Sequence, residues 1–109
     1  MEILETRVYR GPNMYALWPM IRLKVDLGEL EDYPTVELPG FTERLLDLVP
    51  TLAAHTCGLG VPGGLLERMK EGNGTWLGHV LEHLALELQC LAGTPVNFGK
   101  TRENGLPRG

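Results

Sequence analysis

The chain has 109 residues, 43% hydrophobic and 22% charged, the size and make-up of one folded domain with one modest core. A formal net charge of -4 argues against a nucleic-acid footprint, and no apolar run approaches the roughly 18 residues needed to span a bilayer. Two cysteines, Cys57 and Cys90, are too few for a disulfide scaffold, and residues 1–10 lack a signal-peptide core, so the chain is expected to be cytoplasmic with reduced thiols.

Residues 3–8 give a short strand signal, apolar positions interrupted by Glu5 and Arg7. Arg10-Gly11-Pro12-Asn13 is a turn sequence. Residues 21–27 alternate apolar and charged without a fault, which predicts a half-buried strand with its aliphatics towards a core. Residues 30–40 hold Pro34 and Pro39 and predict an irregular connection. Helical spacing covers 41–52, with Pro50 splitting it. A loop with four glycines spans 55–64, followed by a short helix over 65–70. The long helix is expected from Trp76 to about Leu91, with Thr75 as N-cap, Gly93 as C-terminal cap and Pro95 as stop. Residues 96–100 suggest a last short strand. The polar, Gly- and Pro-containing stretch 101–109 is either a frayed tail or the cut end of a longer chain. The expected fold is α+β: a small, mostly antiparallel sheet packed against the long C-terminal helix and shorter helices, with Trp18 and Trp76 in the core.

His79-Val80-Leu81-Glu82-His83 is the stretch that carries chemistry. Two imidazoles at i and i+4 lie one turn apart on one helix face, so both can reach one ion. Glu82, three residues after His79, is placed to act as general base. The order H-x-x-E-H inverts the H-E-x-x-H zincin motif and marks the inverzincin metallopeptidases. On a helical wheel Leu77, Val80, Leu81, Leu84, Leu88 and Leu91 form one apolar stripe; His79, Glu82 and His83 fall opposite it, within about 100° of one another. The competing reading is that these three simply form the solvated face of an amphipathic helix.

Zinc suits imidazole nitrogen, and a catalytic site has three protein ligands and one open position. His79 and His83 supply two. Glu87 lies eight residues beyond His79, roughly 12 Å along the axis, too far to share the ion, and is expected to steady the ring of His83 instead. The third ligand is expected from Cys57, with His55 of the same glycine-rich loop behind it; an acid elsewhere stays open.

The string Gly74-Thr75-Trp76-Leu77-Gly78-His79-Val80-Leu81-Glu82-His83-Leu84-Ala85-Leu86-Glu87-Leu88-Gln89 resembles the signature of the N-terminal domain of cyanophycin synthetase. Arg10-Gly11-Pro12-Asn13, Pro39-Gly40-Phe41, His55-x-Cys57, Gly63-Gly64 and Phe98-Gly99-x-Thr101-Arg102 match in the same order. The resemblance implies that residues 1–109 are one N-terminal domain of a longer enzyme. Its ATP-grasp and Mur-ligase-like domains, absent here, would use ATP and Mg2+ to build a poly-aspartate backbone with arginine branches, in a parent expected to be a homo-oligomer. It implies two possible tasks for this domain. One is zinc-dependent hydrolysis of the polymer into short primers, with Zn2+ on His79, His83 and Cys57 and with Glu82 as base. The other is non-catalytic docking of the polymer. The presence of all three motif residues favours the hydrolase, within a metallopeptidase-like fold. The expected partners are the polymer and the ligase domains, with no nucleic acid and no membrane.

Overall fold

The structure, a computed structural model, describes residues 2–14, 17–56, 63–94, 96 and 99–101. It divides into two compact units, Met1–Leu30 and Glu31–Gly109.

The first unit is an antiparallel hairpin of β1 (Glu2–Tyr9) and β2 (Met20–Asp26). Thr6 faces Leu23 and Val8 faces Ile21, while Arg7 faces Arg22 on the other side, so the alternation seen in the sequence does sort the side chains by face. A register shift between Ile3 and Glu5 places Leu4 at a bulge. Asn13 Nδ2 ties the connecting turn by donating to the Gly11 and Trp18 carbonyls at 3.0 and 3.1 Å. The expectation that the aliphatics of β2 face a core is not met: Ile21 and Leu23 are 56% and 51% exposed, and none of the described residues of this unit is buried. Trp18, expected in the core, is exposed as well.

The second unit carries the core. Two 3₁₀ turns, Gly28–Asp32 at the junction and Thr35–Glu37, occupy the irregular connection. Helix α1 (Phe41–Leu48) ends before Pro50, which starts a further 3₁₀ turn over Pro50–Ala54, as the proline predicts. Helices α2 (Gly64–Lys70) and α3 (Leu77–Leu91) follow. Leu45, Leu52, Leu65, Met69 and Val80 form the buried cluster, with Phe41, Leu46, Val49 and Leu84 packed at its margin. The three helices and the turn Pro50–Ala54 therefore each turn apolar side chains to a shared centre.

Two ends of α3 are fixed differently. At its C-terminus Thr94 N donates to Gln89 O at 2.9 Å and Gly93 N to Cys90 O at 3.0 Å, with Gly93 at φ +98°. This is a Schellman closure, and it requires the glycine the sequence supplies. At its N-terminus the cap position is Trp76, without a side-chain cap bond. Thr75, expected as the cap, has another task. Its N–H donates to Thr35 Oγ1 at 3.0 Å and its carbonyl accepts from Thr35 N at 2.8 Å. Thr35 Oγ1 in turn donates to Met69 O at 2.8 Å. One buried threonine thus joins the end of α2 to the start of α3. Gly74 is required beside this latch: it sits at φ +71°, and a Cβ there would lie 2.7 Å from Thr35 Oγ1.

The apolar stripe of α3 is not uniformly inward. Leu88 and Leu91 are 49% and 60% exposed, whereas His79 and His83 are buried with Leu77 and Val80. The solvated-face reading of the histidines fails on that burial. The last expected strand, 96–100, falls partly outside the described residues, and its described positions are not in a strand.

Candidate functional site

His79, His83 and Glu87 stand at i, i+4 and i+8 on α3, one ridge along the helix. Thr51 and His55 are also four residues apart, in and just after the 3₁₀ turn Pro50–Ala54, and lie along that ridge. The result is a continuous hydrogen-bonded row. Thr75 Oγ1 lies 2.9 Å from His79 Nδ1, and His79 Nε2 lies 3.1 Å from His83 Nε2. His83 Nδ1 lies 3.1 Å from His55 Nδ1. His55 Nε2 is hydrogen-bonded to Glu87 Oε2, and Thr51 Oγ1 donates to Glu87 Oε1 at 2.7 Å. The His79 and His83 rings cross at 74°, edge towards face.

The surroundings set the charge state. Burial lowers the pKa of His79, the Arg68 guanidinium lowers it further, and the Glu82 carboxylate opposes both. Burial also lowers that of His83, followed by the neighbouring His79, with His55 and Arg68 adding to the effect and Glu82 again opposing. Both imidazoles are thereby biased to the neutral form, which has a lone pair to offer a metal. The Glu87 carboxyl is held below its usual range by the hydrogen bonds from Thr51 and His55.

Glu82 is fixed by the segment that crosses α3. Thr101 Oγ1 is hydrogen-bonded to Glu82 Oε2 and lies 3.2 Å from the Gly78 carbonyl oxygen. A Cβ on Gly99 would meet Glu82 Cγ at 2.8 Å, so that glycine lets the backbone pass directly over the carboxylate stem.

The pair His79 Nε2 and His83 Nε2 fits a shared ion well. A tetrahedral zinc about 2.0–2.1 Å from each nitrogen would set them about 3.4 Å apart, close to the 3.1 Å found. His55 does not complete the set. It meets His83 at Nδ1, on the far side of that ring from His79, and is therefore a partner of His83 rather than a co-ligand. Cys57, the expected third ligand, lies outside the described residues. Among the described residues no group of three His, Cys, Asp or Glu side chains could hold a metal ion. Glu87, expected against His83, instead grips His55, which stands between them. Thr51, Thr75 and Thr101 were missed as site residues, since a hydroxyl carries no spacing signal of its own; Thr75 and Thr101 lie in the family-like strings, but Thr75 was expected only as an N-cap.

The family profile described as the cyanophycin synthase-like N-terminal domain matches residues 22–108. The chain belongs to that family. It is 47% identical to a cyanophycin synthetase of Crocosphaera subtropica and 45% identical to those of Geminocystis herdmanii and Trichormus variabilis. Each alignment covers 98% of this chain and 12% of the relative, so the chain spans about an eighth of the length of these synthetases. Among the described residues no helix is long and apolar enough to cross a membrane.

Proposed function

We propose that this domain cleaves cyanophycin, the aspartate-backbone polymer with arginine branches, by zinc-dependent hydrolysis within the chain, giving short primers for an ATP-dependent parent synthetase. The observation that carries the reading is the convergence of His79 Nε2 and His83 Nε2, 3.1 Å apart and buried, with Glu82 one turn away on the same helix. His79 and His83 would hold the ion, with Cys57 the proposed third ligand. A zinc ion so held supplies Lewis-acid polarisation of the scissile carbonyl and of water.

The rest is the work of the chain. With Oε2 engaged by Thr101, Glu82 Oε1 takes the proton from the attacking water as its oxygen bonds to the backbone carbonyl carbon. The same oxygen then delivers that proton to the amide nitrogen as the C–N bond breaks, leaving a carboxylate and an amine. The mildly acidic chain, at net charge -4, suits a ligand rich in arginine.

The test is to follow release of short fragments from cyanophycin by the zinc-loaded protein, with and without chelator. Cleavage that stops on chelation and returns with zinc is the expected result. The competing reading is a docking domain that holds the polymer without cutting it. Polymer retained without cleavage would establish that alternative; neither retention nor cleavage would leave a purely structural part of the synthetase.

A further inference from the structure

The row of hydrogen bonds behind the metal pair has a direction, and one residue sets it. A neutral imidazole carries one N–H and one bare nitrogen, so each ring in a row must donate on one side and accept on the other. An ionised carboxylate only accepts. Glu87 Oε2 faces His55 Nε2, and Glu87 Oε1 already accepts from Thr51 Oγ1 at 2.7 Å. In neutral His55 the proton must then sit on Nε2, which leaves His55 Nδ1 bare. His83 Nδ1, 3.1 Å from it, must be the donor, so His83 Nε2 carries no proton. The next bond follows: His79 Nε2 donates to His83 Nε2 across 3.1 Å, and Thr75 Oγ1 donates to His79 Nδ1 across 2.9 Å.

We infer that Glu87 and His55 are positioning residues that lock His83 as its Nδ1–H tautomer, with the Nε2 lone pair aimed at the point it shares with His79. The inference deepens the metal-site reading and rests on it for its purpose, though not for its geometry. A histidine that ligates through one nitrogen nearly always donates from the other to a fixed acceptor. Here that acceptor is another imidazole, itself oriented by a carboxylate that a threonine hydroxyl holds in turn. His83 needs no change of tautomer to ligate. His79 needs one, and the Thr75 hydroxyl can accept as well as donate, so it accommodates either state of that ring. Glu87 and His55 are mostly buried, with side chains 14% and 18% exposed, which keeps water from competing for the row.

Nitrogen-15 NMR of the metal-free protein, with labelled histidines and above the imidazole titration range, tests this directly. The expected spectrum shows His83 protonated on Nδ1 and bare on Nε2, and His55 protonated on Nε2. A His83 protonated on Nε2 overturns the inference. In Glu87→Ala the His83 population should shift towards Nε2–H, the form a free imidazole prefers, and zinc affinity should fall about 10–100-fold. Glu87→Gln, whose amide oxygen can still accept from His55, should keep the wild-type tautomer. An unchanged His83 tautomer in Glu87→Ala contradicts the inference even if that variant is fully folded. Should wild type show the expected tautomers yet fail to cleave polymer, the hydrolase reading falls and this one stands.

Discussion

Two buried threonines show how single polar atoms organise this molecule. Thr35 Oγ1 donates to Met69 O and accepts from Thr75 N, so its hydroxyl satisfies two backbone groups at once. Thr35→Val keeps the shape and strands both, at about 1–3 kcal/mol each. Urea unfolding should show a lower midpoint with an unchanged slope, while Thr35→Ser should stay near wild type. The histidines make a second prediction. Burial holds His79 and His83 below the ordinary value of 6.5, so below that value the unfolded chain binds more protons than the folded one. Stability is fully present above 6.5 and is lost as pH falls through the window beneath it; Arg68 and His55 face these rings and deepen the loss, and Glu82 lessens it. Glu87, held below 4.5 by Thr51 and His55, adds a separate loss under that value. The melting temperature of metal-free protein should therefore drop between about pH 7 and about pH 5. A flat profile there, or one unchanged in a His79→Gln, His83→Gln double variant, would contradict the assignment.

At the level of elements, the sequence was informative wherever a local rule acts alone. The alternation in β2, the break at Pro50 and the Gly93 closure of α3 were all legible, because pleat, ring and φ angle each act on the chain locally. The direction in which α3 faces was not. A wheel gives angles between residues, but which side turns inward depends on what packs there. Here the turn Pro50–Ala54, with Thr51 and His55, meets the histidine ridge, and Leu88 and Leu91 are left exposed. Thr75 misled for a related reason: its position suits an N-cap, but tertiary contacts with Thr35 and His79 claim its backbone and hydroxyl. The same turn also bears on stability. Leu52 is 1% exposed at the centre of the core, and Leu52→Ala should cost about 2–5 kcal/mol by leaving a cavity. Because Leu52 lies between Thr51 and His55, that variant should also loosen the row to Glu87, seen as changed His55 and His83 signals in NMR. Loss of stability with those signals untouched would show that the turn does not hold the row.

For the molecule as a whole, a domain that makes up about 12% of its synthetase relatives carries a buried, ordered set of groups that packing alone does not explain. An apolar core of five side chains sits beside a polar row of three histidines and a carboxylate. Side chains of that kind are costly to bury unless each is paired, and here the pairing is continuous from Thr75 to Thr51. Part of the site was legible as H-x-x-E-H, since the i, i+4 spacing brings the two imidazoles together on α3. The supports Thr51 and His55 come from 28 to 36 positions away in the chain, beyond the reach of any spacing rule. The most direct measurement is cyanophycin cleavage by zinc-loaded wild type and Glu82→Gln, with bound zinc determined in both. The expected result is equal zinc content and a cleavage rate at least about a hundredfold lower in the variant, as loss of a general base requires. Equal cleavage by the two proteins would contradict the assignment of Glu82, and with it the hydrolytic function proposed for this site.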